Sequence, residues 1–166
     1  MSRAVLTLAA ISLLCLVGAS VLGFIDANNE RLRLYHFLFG LFTALLTTFI
    51  HCMVMFYFIG TAKPIREAAA ELKATERDYA RETRRLAAIV HPLATLAIAV
   101  TIVATLLGGA VKAELLPAWA HLVGAVVALG LNAWVFRAQH RAARVNSGLI
   151  EELEAIYARK AGAAAP

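Results

Sequence analysis

The sequence predicts an all-α integral membrane protein, with four transmembrane helices in an antiparallel up-down bundle. Of its 166 residues, 61% are apolar and 16% are charged, whereas a soluble domain is about 45–50% apolar and about 25% charged. Four stretches contain no Asp, Glu, Lys or Arg, and each has the roughly 20 residues that cross a bilayer as a helix. Because lipid offers no hydrogen-bond partners to the backbone, each stretch should be helical. These stretches are 4–25, 34–62, 86–111 and 115–136.

The first stretch has two interpretations. Met1-Ser2-Arg3, an apolar run and Val17-Gly18-Ala19 also resemble a signal peptide that is cleaved near residue 19. The apolar run is longer than the 7–15 residues that are usual for a signal peptide. We therefore expect a retained span, and cleavage remains the alternative.

The connections and the basic residues predict how the other spans are arranged. The links 26–33 and 112–114 are short, which makes the helices that they join antiparallel neighbours. With both termini in the cytoplasm, the inner side carries 13 Lys and Arg residues and the outer side carries three. This asymmetry follows the positive-inside rule. We therefore interpret the net positive charge as setting the orientation of the helices in the membrane and as attracting anionic lipid, rather than as binding nucleic acid.

The charged segments predict a cytoplasmic helical extension. A transmembrane domain over 1–138 contains the charged connection 63–85, and a C-terminal helix and tail follow over 139–166. Pro64 suits the first turn of a helix that starts after Gly60. A heptad seam runs through that connection, and an amphipathic face runs through the tail. Either spans two and three extend into the cytoplasm and the tail packs on them, or these segments form a docking site for a partner subunit. The seam is Ile65, Leu72, Tyr79 and Leu86, and the face is Leu149, Ile150, Leu153, Ile156 and Tyr157.

Histidines are the residues that most plausibly carry chemistry. The apolar stretches contain no carboxylate or basic group of the kind that proton pumps and ion-coupled transporters place at the midplane. Cys15 and Cys52 are read as small hydrophobic residues. Four histidines lie within the apolar stretches. Placing an imidazole inside a membrane span is costly, so each of these histidines points to a specific role. By depth they form an outer pair, His36 and His121, and an inner pair, His51 and His91.

Small residues follow the histidines along the same faces. His36 and His51 are 15 residues apart and share a broad helix face. Gly40 lies between them, and Gly124 follows His121 by three residues. An imidazole followed by small residues is the combination that a flat macrocycle needs between helices, although small residues also allow ordinary close packing.

This spacing resembles the di-haem cytochrome b proteins of quinol-oxidising membranes, and the small cytochromes of the b561 type. The resemblance covers spans two to four and rests on spacing alone. It implies an outer haem b held by His36 and His121, an inner haem held by His51 and His91, and a quinone or membrane redox partner. Two departures weaken the inner pair: its members lie at unequal depths, and Pro92 follows His91. One haem is as consistent with the sequence as two.

Two other function classes remain open, and the sequence does not decide whether the chain is an enzyme. The first is an accessory or assembly subunit whose histidines bond internally, for example His51 to Thr47 or to Asn132. The second is a non-haem copper, iron or zinc protein that uses the outer imidazoles. The compact, alanine-rich chain favours a bacterial inner membrane.

Overall fold

The computed structural model describes residues 2–25 and 29–163, and throughout this part the regular structure is helical. Four helices are each long and apolar enough to cross a membrane, which confirms the all-α prediction. The first three predicted stretches lie inside α1, α2 and α3. The helices are α1 (Ser2–Ile25), α2 (Glu30–Glu71), α3 (Tyr79–Lys112) and α4 (Ala118–Ala163).

The helices pack in a closed ring. Each one contacts the next along the chain, and α4 also contacts α1. A weaker contact joins α2 and α4 across the ring, whereas α1 and α3 do not contact each other within the described residues. The arrangement is compatible with a four-helix bundle, and α2 and α4 lie on its shorter diagonal.

The fourth helix starts later than the sequence predicts. The apolar stretch begins at residue 115, but α4 begins at Ala118, directly after Pro117. Glu114 has a positive φ of 60°, and the Leu115 N–H donates to the Ala110 carbonyl at 2.9 Å. The chain therefore closes the end of α3 and turns before Pro117, whose fixed φ suits the start of a helix.

The prediction of one helix over 63–85, starting after Gly60, is wrong. Helix α2 continues through Gly60 and Pro64 to Glu71, and the chain then turns before α3 starts. Lys73 has a positive φ of 47°, and Asp78 caps α3 by accepting a hydrogen bond from the Arg81 N–H at 2.9 Å. The connection is thus a helical hairpin, in which α2 and α3 extend beyond their apolar stretches.

The tail of α4 packs on this hairpin, as one of the two sequence interpretations predicts. The Lys160 amine donates to the Leu72 carbonyl at the end of α2, and Arg77 lies 3.8 Å from Glu152. We call this region the helical extension. Its core contains six large side chains that are at most 5% exposed: Ile65, Tyr79, Leu86, Leu149, Leu153 and Ile156.

Candidate metal centre

The structure brings the outer histidines together. His36 lies in the second turn of α2, and His121 lies in the first turn of α4. Their ring centroids are 6.0 Å apart, and the ring planes cross at 63°. Both side chains are half-buried. Two imidazoles from different helices therefore share one place at the same end of the molecule.

Each of these imidazoles is held by the main chain of the preceding helix. Nδ1 of His36 bonds to the Ala19 carbonyl at 3.0 Å, and Nδ1 of His121 bonds to the Ala104 carbonyl at 3.0 Å. A carbonyl oxygen can only accept, so Nδ1 carries the proton in both rings. In the neutral tautomer Nε2 then has a free lone pair, and within the described residues it has no hydrogen-bond partner. Metal-binding histidines use this same arrangement.

A glycine provides the space for each ring. A Cβ added at Gly23 would lie 2.9 Å from Cε1 of His36, and a Cβ added at Gly108 would lie 2.9 Å from Cε1 of His121. Both distances are shorter than real Cβ contacts. The imidazoles can occupy these positions only because the facing helix has no side chain there.

The two half-sites have the same spacing in sequence. In each helix pair, the glycine precedes its histidine by 13 residues and the carbonyl precedes it by 17. The sequence analysis missed Gly23 and Gly108. Comparing the first two apolar stretches with the last two would have revealed a glycine and a histidine at equal spacing in both.

The predicted small residues have different surroundings. A Cβ at Gly124 would lie 2.8 Å from Leu107 Cδ1 and 3.6 Å from the Cα of Ala104, so α4 approaches α3 closely beside His121. A Cβ at Gly40 would meet nothing within 4 Å. Their role in making room for a macrocycle stays a prediction.

A cation lies on the neighbour of His36. The Lys112 amine, at the end of α3, lies 4.4 Å from the centre of the Phe37 ring. Phe37 is the residue after His36, and Lys112 lies one helical turn beyond Gly108. The contact joins the end of α3 to α2 at the end of the molecule that carries the paired imidazoles.

His51 lies in a separate polar cluster. It is fully buried, Nε2 bonds to Asn132 Oδ1 at 2.8 Å, and Nδ1 bonds to Gln139 Oε1 at 3.2 Å. Its ring stacks on Phe136 with centroids 4.4 Å apart and planes 11° apart. The Asn132 amide also donates to Thr101 Oγ1 at 3.0 Å. The bond to Asn132 is one of the internal bonds that the sequence analysis considered.

The predicted inner pair is not brought together in the same way. No ring contact joins His51 and His91 within the described residues. His51 would have to give up a hydrogen bond to bind a metal, whereas Nε2 of His91 is buried without a partner. An inner haem stays a prediction that this arrangement does not favour.

The outer site offers two protein ligands. Within the described residues, no group of three or more His, Cys, Asp or Glu side chains is placed to hold a metal ion. The described residues would therefore supply two ligands, His36 and His121, to a metal at this site.

Comparison with protein-family models, curated proteins and solved structures finds no match to the chain. The function is therefore argued from the geometry and chemistry of the site.

Proposed function

We propose that this protein is a b-type membrane cytochrome in which His36 and His121 would hold the iron of one haem. The observation that carries the proposal is the matched pair of imidazoles. In each, Nδ1 is bonded to a main-chain carbonyl and Nε2 has no hydrogen-bond partner within the described residues. The hydrogen bond fixes the tautomer and the ring orientation, and it raises the basicity of the ligand.

The separation of the rings supports a shared metal. A metal–imidazole bond is about 2 Å long, and the nitrogen lies about 1 Å from its ring centre, so two rings on opposite sides of one metal have centres about 6 Å apart. The observed distance is 6.0 Å. The separation of the ring centres therefore matches the one that a shared metal requires.

The shortage of protein ligands favours haem over other metal centres. A structural zinc site takes four ligands, and a catalytic one takes three from the protein. The described residues offer His36 and His121 without a third ligand. A porphyrin supplies four nitrogens in its plane and needs only axial ligands from the chain, so two histidines complete its iron.

We place the four helices across a bacterial inner membrane as an antiparallel bundle with both termini in the cytoplasm. This placement rests on the length of the apolar helices and on the excess of Lys and Arg, 13 against three, on one side. It puts the paired imidazoles near the outer surface, and the helical extension in the cytoplasm.

Electron transfer is the chemistry that suits two axial histidines. When bound, haem would supply a one-electron couple, and two imidazole ligands would leave its iron without an open position for a substrate. Lys112 lies near the site, and its positive charge would favour the reduced state. The redox partner is a quinone or another membrane protein that reaches the outer end of the helices.

A second candidate is an accessory subunit without a cofactor. Its support is that His36, His121 and His51 all bond to groups of the chain itself. In that case, the hydrogen bonds of the imidazoles join neighbouring helices. The exposed side of the helical extension, where Tyr157 is 66% exposed, is then the surface for a partner subunit.

The deciding experiment is a reduced-minus-oxidised absorption spectrum with a haem-to-protein ratio. The protein is expressed with ample haem and purified in detergent. We expect a sharp α-band, a ratio near one, and loss of most haem in His36→Ala and His121→Ala. The His140→Ala variant is the matched control and should keep both the band and the ratio.

A folding defect is separated from the loss of a ligand by adding imidazole. If a His121→Ala chain is folded and merely lacks its ligand, free imidazole should restore the low-spin spectrum. A wild-type chain that is monodisperse, helical and colourless would refute the cytochrome and favour the accessory subunit. A ratio near two that falls to one in His91→Ala would restore the inner haem.

A further inference from the structure

The cytoplasmic part of α4 carries a row of arginines without carboxylate partners. Arg137, Arg141 and Arg144 are all exposed. At 100° per residue they lie within roughly 60° of one another on the helix. The sequence has no Asp or Glu from residue 115 to residue 150. Within the described residues, none of the three arginines takes part in an ion pair.

The helical hairpin of α2 and α3 is different in charge. Its segment 63–85 has seven basic and five acidic residues, so its charges nearly balance. Lys63 lies 3.6 Å from Glu67, and Arg77 lies 3.8 Å from Glu152 of the tail. The segment of α4 from Arg137 to Arg144 differs from the hairpin because no acidic residue lies among its arginines.

The arginines start where the apolar part of α4 ends. Trp134 is 55% exposed and lies one turn before Arg137 on the same side of the helix. Tryptophan prefers the boundary between the lipid core and the headgroups. From Arg137 to Arg144 the helix rises about 10 Å at 1.5 Å per residue. The lipid headgroups occupy a layer of similar depth, roughly 5–8 Å on each side of the membrane.

A shallow, open surface accompanies the row. It is lined by Arg141, Arg144 and Val145. Two guanidinium groups beside an apolar side chain suit a phosphate that is attached to a hydrocarbon chain. Arginine binds phosphate through two parallel hydrogen bonds, which a single ammonium group cannot form.

We propose that Arg137, Arg141 and Arg144 form a binding site for an anionic phospholipid of the cytoplasmic leaflet. The proposal rests on the membrane placement given above, and not on haem binding. The site recognises the phosphodiester and net negative charge of the lipid, so it prefers phosphatidylglycerol to the zwitterionic phosphatidylcholine.

The test compares binding of these two lipids to the purified full-length chain by native mass spectrometry in detergent. We expect phosphatidylglycerol to bind at least tenfold more tightly than phosphatidylcholine. The double variant Arg141→Gln/Arg144→Gln should lose most of this preference. The matched control Arg84→Gln/Arg85→Gln removes the same charge from exposed positions on α3 and should keep it.

Each other outcome overturns the proposal. An equal affinity for the two lipids would show that the site does not recognise charge. An equal loss in both double variants would show that only net charge matters. Competition by sodium phosphate at the lipid concentration would show a site for free phosphate. Haem spectra of the same samples report on the cytochrome separately, so a colourless chain that keeps its lipid preference refutes only the cytochrome.

Discussion

Replacing Gly108 by alanine should damage the proposed haem site without unfolding the helix. The added Cβ would lie 2.9 Å from Cε1 of His121, 3.2 Å from Nδ1 and 3.3 Å from Nε2. Ordinary contacts at a Cβ are 3.4–4 Å. The ring must therefore move away by roughly 0.5–1 Å, which disturbs the 3.0 Å hydrogen bond from Nδ1 to the Ala104 carbonyl.

The expected loss is in haem affinity. Removing the hydrogen-bond partner of a metal-binding histidine typically lowers metal affinity by about 10–100-fold, and we expect Gly108→Ala to fall in that range. Alanine is the better helix former by about 1 kcal/mol, so the helix itself gains from the change. Haem affinity is measured by titrating haem into the haem-free protein, and stability by thermal unfolding of that same form.

Gly109→Ala is the matched control, because its added Cβ meets nothing within 4 Å. It should keep wild-type haem affinity and unfold at the same temperature or slightly above. Gly23→Ala, in the other half-site, should behave like Gly108→Ala. Wild-type haem affinity and an unchanged spectrum in both Gly108→Ala and Gly23→Ala would refute the idea that the carbonyl-held imidazoles are the ligands.

Four other substitutions, one of them a control, test separate parts of the molecule. Lys112→Gln should lower the haem midpoint potential in a redox titration, because a cation near the site favours the reduced form; an unchanged potential would contradict this. Asn132→Leu should lower the free energy of unfolding by about 1–3 kcal/mol, because it removes the hydrogen-bond partner of Nε2 in the buried His51, while haem content stays unchanged. Leu149→Ala, in the fully buried core of the extension, should cost about 2–5 kcal/mol in denaturant unfolding. Tyr157→Ala on its exposed side should cost less than about 0.5 kcal/mol, and equal losses would refute the packing of the tail.

The sequence predicts the helices well because charge is excluded from lipid-facing stretches. It predicts the hairpin turn poorly because the heptad seam continues across it. Ile65, Tyr79 and Leu86 all face one core, although they belong to two helices. A seam shows which side chains are buried together, but not whether one helix carries them all. The clearer signal for the turn is Asp78, whose carboxylate caps α3.

The depths of His36 and His121 along their helices were enough to predict that the two histidines pair. They did not predict the main-chain carbonyls and glycines that hold the imidazoles. The Ala19 carbonyl and Gly23 belong to the preceding helix, and hydrophobicity does not show which of its faces meets His36. The partner Gln139 was missed for another reason. It lies beyond the end of the fourth apolar stretch, and it meets His51 only through the packing of α2 on α4.

The equal spacing of corresponding residues in the helix pairs α1–α2 and α3–α4 favours one haem over two. His121 follows His36 by 85 residues, and Phe136 follows His51 by the same number. Both pairs of corresponding residues contact each other, His36 with His121 and His51 with Phe136. The two helix pairs therefore meet at corresponding positions at both depths. At the outer depth both residues are imidazoles, whereas at the inner depth His51 meets the phenyl ring of Phe136, which cannot bind a metal. The expected haem-to-protein ratio is one.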